Sequence, residues 1–224
     1  MSSRLKTFIS KSIAKKQVMG ITGLMLCGFL VTHLAGNLLI FVGADAFNQY
    51  AHALVSNPFI YVAEAGLALI FLTHIALAVR LSYENNKARP QKYYMKRHTG
   101  RGATFASASM PYTGILALIF TVIHILNFKF GPVYDTTVDG VAMRDLYRTV
   151  IEYFQSPLHI LWYVFALLAI GVHVSHGFWS AFQSLGFNHP RYTPGLQIFS
   201  KLFGVLITIG FSALPIYCYF QGGR

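Results

Sequence analysis

Five long apolar runs constrain this chain more than any other feature. They cover about residues 19–42, 59–82, 110–130, 157–182 and 196–220. Each is long enough, as a helix rising about 1.5 Å per residue, to cross a hydrocarbon core of about 30 Å. The expected fold is an all-α membrane protein with five transmembrane helices, forming one membrane domain over residues 1–224. Charged residues make up 11% of the chain, roughly half the share of a soluble domain. Mean hydropathy is +0.50. Pro111 and Pro157 fall near the start of the third and fourth runs, where a missing N–H costs a helix nothing. The first run is too long for a cleavable signal peptide.

Lys and Arg set the expected orientation. The N-terminal tail, the connection between spans two and three, and the region between and just beyond spans four and five carry fourteen of them, including Lys15, Lys16, Arg80, Lys87, Arg97, Arg191 and Lys201. The opposite side carries four, at Lys129, Arg144, Arg148 and Arg224. The N-terminus is therefore expected in the cytoplasm. The net charge of +11 belongs mostly to that face, which suits anionic lipid and a soluble partner. It does not suit nucleic acid, because the basic residues cluster at span ends rather than in a binding motif. Cys27 and Cys218 lie in or near spans without metal-ligand spacing and read as small packing residues. The stretch "RDLYRTVIEYF" has apolar residues at helical spacing and is expected to form a short helix on the outer surface.

Histidine in an apolar span needs a partner or a task. Of nine histidines, four occupy one span each at comparable depth: His33, His74, His124 and His173. Each lies a few residues past the middle of its span, in the direction of travel. Because the spans alternate, His33 and His124 fall in the outer half and His74 and His173 in the inner half. The offsets separate the two pairs by roughly 10 Å along the membrane normal. Two bis-histidine haems account for this pattern, since neutral imidazole is a good iron ligand and a helix bundle accommodates an apolar macrocycle. A zinc or copper site would want its ligands converging at one depth. Gly28, Gly36, Gly66, Gly171 and Gly177 could give a flat group room, or could simply allow close helix packing. His176, three residues beyond His173, is its competitor as ligand. Histidines 52, 98, 159 and 189 fall in loops or at a span entrance.

The motifs "KQVMGITGLMLCGFLVTHLAGNL" and "HVSHGFWSAFQSLG", with one histidine in each of the first four spans, resemble the five-helix, dihaem cytochrome b membrane-anchor subunit of bacterial succinate dehydrogenases and quinol:fumarate reductases. The resemblance implies that the first four helices form the dihaem bundle. It implies axial ligands His33, His74, His124 and His173, paired first helix with third and second with fourth. It also implies two b-type haems, a quinone substrate, expected to be menaquinone, and a multi-pass place in the bacterial cytoplasmic (inner) membrane. An iron–sulfur subunit and a flavoprotein subunit, carrying the clusters and FAD, would dock on the cytoplasmic side. The dicarboxylate site would lie on the flavoprotein. Where some of these fumarate reductases carry an acidic residue two positions before the fourth-helix ligand, this chain has Gly171.

Quinone chemistry moves protons as well as electrons. Glu64 is the acidic residue clearly inside a span, on the outer side, and is the candidate proton carrier; Tyr61, one turn earlier, and Asn57 are candidate quinone contacts. The basic connection over residues 87–101 is the expected docking surface. Two other readings are a cytochrome b of another quinone-linked dehydrogenase or hydrogenase, and a haem-free transporter, which would be colourless.

Overall fold

A computed structural model describes residues 12–88 and 105–222. Five of its helices are long and apolar enough to cross a membrane, which bears out the all-α membrane class. These are α1 (Ser12–Asn37), α3 (Ile60–Lys87), α4 (Phe105–Phe128), α6 (Pro157–Ser184) and α7 (Thr193–Gln221). In lipid a helix satisfies its own backbone, which is why such runs take this form. A tighter turn over Leu38–Phe41 extends α1. The expectations for Arg4, Lys6 and Lys11, for residues 89–101 with His98, and for Arg224 lie outside the described residues.

Three features depart from the sequence expectation. The segment 43–58, expected as a loop, contains helix α2 (Ala44–Val55). Gly43, at a φ of 136°, breaks the chain after the first span, and α2 then buries Phe47 and Asn48. The long connection after α4 holds an antiparallel hairpin, β1 (Asp135–Val138) with β2 (Val141–Arg144). Its turn is Asp139-Gly140, with φ values of 50° and 77°, the pair of positive φ angles that a two-residue hairpin turn requires. Finally, α4 starts before residue 110, so Pro111 lies inside that helix and not at its first turn. Pro157 does stand at the start of α6.

The short helix foreseen in "RDLYRTVIEYF" is α5 (Leu146–Tyr153), whose N-terminus is capped by the Asp145 carboxylate accepting the Arg148 N–H at 2.9 Å. Asn48 locks α2 onto this cap. Its amide donates to Asp145 at 2.9 Å, and its carbonyl accepts the Tyr147 N–H at 2.9 Å. Around this joint lies the main core, where Ile40, Phe47, Val150, Phe154, Tyr163 and Leu214 meet.

The spanning helices do not pack in chain order. α1 lies along α3 and α6, while α4 and α7 each lie along α6. The bundle therefore reads α3–α1–α6–α4, with α7 against α6. The α6–α7 crossing is close because it is built from small residues. A Cβ added at Gly204 would meet the Gly171 carbonyl at 2.6 Å and the Ser175 Cβ at 2.7 Å. Ser200 reaches into the ladder of α6, donating to the Ser175 carbonyl at 2.5 Å and accepting the Trp179 N–H at 3.1 Å. At the start of α1, buried Lys15 pairs with Glu84 near the end of α3, and Arg80 meets the same carboxylate at 3.1 Å.

Candidate functional site

The packing order leaves α1 and α4, and likewise α3 and α6, without extensive direct contact. Yet these are the helices whose histidines approach each other. The His33 ring on α1 and the His124 ring on α4 have centroids 5.8 Å apart with planes at 89°. A metal between two imidazoles requires about 6 Å, from about 2 Å per metal–nitrogen bond and about 1 Å from each nitrogen to its ring centre. The separation would suit one metal atom held between the two rings. Phe29 stacks on His33 at 5.1 Å and Phe120 on His124 at 5.6 Å, so the surroundings are apolar. His74 on α3 and His173 on α6 lie near enough to interact electrostatically, and His176 lies close to His173. Among the described residues no three metal-ligating side chains converge, so the histidines stand as pairs and not as a zinc-type cluster.

The two pairs are held differently. His74 Nδ1 lies 3.2 Å from the Thr22 hydroxyl of α1, and His173 Nδ1 lies 3.1 Å from the Thr113 hydroxyl of α4. A Cβ on Gly23 would stand 3.2 Å from His74 Cε1, and one on Gly114 would stand 3.4 Å from His173 Cε1. The other pair has looser partners. His33 Nδ1 is 3.4 Å from the Asn37 amide, which bonds better to the His33 carbonyl at 2.8 Å; His124 Nδ1 is 3.5 Å from the Tyr163 hydroxyl. Thr22 and Thr113 were missed in the sequence. A repeat marks them: Met19-x-x-Thr22-Gly23 and Met110-x-x-Thr113-Gly114. The His74 ring sits at the level of Gly23, ten residues before His33, so the pairs are roughly 15 Å apart along α1 and not roughly 10 Å.

The glycines divide. Added Cβ atoms on Gly28 and Gly66 would meet nothing within 4 Å, and Gly28 is exposed. Gly171 instead fits against Gly204 and Thr208 of α7, Gly36 fits the Tyr50 ring, and Gly177 faces Met110.

Near the His124 end, Glu64 of α3 forms an ion pair with Lys129, just past the end of α4. This pairing answers how a carboxylate is tolerated there. Tyr61 is exposed, and the Asn57 side chain accepts the Phe59 N–H at 3.0 Å. A cavity of about 210 Å³ opens beside α5, lined by Asn127, Pro132, Tyr134, Thr149, Glu152 and Tyr153. Asn127 donates to the Tyr153 hydroxyl at 2.6 Å. Glu152 accepts from the Tyr134 hydroxyl at 2.6 Å and from Arg148 at 2.7 Å. The Tyr134 bond, then Arg148, hold its carboxyl below the usual carboxylate range, and the same bond pushes Tyr134 up.

No family model and no solved structure matches the chain. A curated protein does: the succinate dehydrogenase cytochrome b558 subunit of Bacillus subtilis (strain 168) is 26% identical over 195 residues, covering 86% of this chain and 87% of that one. This similarity bears out the resemblance carried by the sequence motifs. Together with the five apolar helices it supports a multi-pass protein of the bacterial cytoplasmic membrane.

Proposed function

We propose that this chain anchors a succinate:quinone or quinol:fumarate oxidoreductase and carries electrons between its iron–sulfur subunit and a membrane quinone through two b-type haems. The observation that carries this reading is the approach of the His33 and His124 rings across two helices that otherwise do not pack together, with His74 and His173 near enough to interact across another such pair. His33 and His124 would hold one haem iron, and His74 and His173 the other. His173 is favoured over His176 by its bond to Thr113. Bound haem supplies reversible one-electron storage. The protein's part is to fix imidazole orientation, exclude water with the rings of Phe29 and Phe120, and keep the two sites roughly 15 Å apart.

The chain would lie with its N-terminus in the cytoplasm, as one transmembrane domain, with the iron–sulfur and flavoprotein subunits on that side. The His74/His173 pair would then receive electrons first. The His33/His124 pair would face a quinone at the outer end, where Glu64 would pass protons and Tyr61 and Asn57 would contact the quinone. Menaquinone is the expected species.

Single replacement of the four histidines by Ala, with His176→Ala as control, tests this. Each of the four variants should lose one of two low-spin haems, counted from the spectrum of the purified complex, while the control keeps both. Loss of haem in the control with two haems retained in His173→Ala would move the ligand to His176. A colourless wild-type complex would remove the haem reading altogether.

A further inference from the structure

The repeat that marks Thr22 and Thr113 extends further along the chain. Gly23 and His33 stand ten residues apart, and so do Gly114 and His124; Pro58 and His74 stand sixteen apart, and so do Pro157 and His173. The pair α1 and α3 and the pair α4 and α6 are thus two copies of one arrangement. In each, the first helix gives a Thr-Gly step low down and a histidine about three turns higher. Each copy makes the same bond within itself. Thr22 of α1 bonds His74 of α3, and Thr113 of α4 bonds His173 of α6.

The direction of these bonds follows from what else each hydroxyl does. Thr22 Oγ1 lies 2.9 Å from the Val18 carbonyl and 3.0 Å from that of Met19. Thr113 Oγ1 lies 3.1 Å from the Ser109 carbonyl and 3.2 Å from that of Met110. A carbonyl only accepts, so each hydroxyl proton is directed to its own helix and the oxygen lone pair faces the imidazole. The imidazole must then donate from Nδ1. With the proton fixed on Nδ1, Nε2 is left as a bare lone pair. Gly23 and Gly114 leave room for the ring edge against the neighbouring helix, where a methyl would press on Cε1.

Resting on the two-haem reading above, we infer that Thr22 and Thr113 are paired positioning residues for one haem site only, fixing the tautomer and rotation of His74 and His173 through a bond from each ring to the adjacent helix. Such partners make a ligating imidazole more basic, and their loss typically weakens metal binding by about 10- to 100-fold. Among the described residues the His33/His124 site has no bond shorter than 3.4 Å to its ring nitrogens, so the two sites should respond differently.

The test uses the intact complex with Thr22→Val and Thr113→Val, read by low-temperature electron paramagnetic resonance and by redox titration of each haem. One haem should change its low-spin signal, rise in midpoint potential and bind more weakly, while the other keeps both properties. Thr→Ser at either position should restore the wild-type signal. Thr32→Val, which removes a hydroxyl that among the described residues bonds within α1, should alter neither haem. If the valine variants fail to assemble, Gly23→Ala carries the test, because its methyl meets the His74 ring; the same single haem must change. Two haems with unaltered signals and potentials in these variants overturn the inference. A wild-type complex without two haems overturns instead the reading on which it rests.

Discussion

Glu64 is a carboxylate at the end of an apolar helix, and the structure pairs it with Lys129. An ion pair at a membrane boundary can hold a proton carrier ready without leaving a bare charge in hydrocarbon. Glu64→Gln removes the proton-exchanging group and changes the volume little. The variant complex should keep both haems and its succinate–dye activity, which bypasses quinone, while quinone-linked turnover falls at least about tenfold. Unchanged quinone turnover would take Glu64 out of the mechanism. At this scale the four histidines were legible because each interrupts an apolar span at a matched depth. The threonines were not, because a hydroxyl that satisfies itself on its own helix carbonyl looks the same in sequence whether or not a neighbouring ring shares it.

Among the elements, the five spanning helices were legible from apolar length alone. The hairpin and α2 were not, although "VDGV" carries the turn chemistry of a two-residue hairpin. Both are small and depend on contacts across about a hundred residues, as Asn48 shows by bonding Asp145 and the Tyr147 backbone. The proline at 111 misplaced the start of α4 because a membrane helix tolerates it internally. The α6–α7 crossing makes a sharper prediction. Gly204→Leu must push α7 away from Gly171 and Ser175, and overpacking of this kind costs about 1–3 kcal/mol or more. Its thermal unfolding in detergent should come at clearly lower temperature than wild type. Gly195→Leu, at an open position of the same helix, should not do so, and equal melting of the two variants would mean the crossing contributes little.

For the whole molecule, the net charge of +11 is expected to fall mostly on one side. If the basic side faces the cytoplasm, charge reversal at Lys16 and Lys87 should weaken association with the iron–sulfur subunit at low salt. Added salt should shrink the difference, because surface charge is screened over about 10 Å at 0.1 M. Crosslinks to a soluble subunit from Lys129 or the hairpin, with none from Lys16 or Lys87, would invert the orientation. Class and span count were readable at this scale from composition and periodicity. The order α3–α1–α6–α4 was not, since hydropathy says that a helix is in lipid but not which neighbour it chooses.

That order has a consequence in time. On the two-haem reading, each half of the bundle would bring one histidine to each pair, so no ligand pair would be complete in the first hairpin to leave the ribosome. His33 would gain His124 once α4 has been made, whereas His74 would wait for His173 past the middle of α6. The two sites would therefore be finished in sequence during synthesis, the His33 site before the His74 site. A chain interrupted between α4 and α6 would leave the ribosome with the first pair whole and the second pair half built.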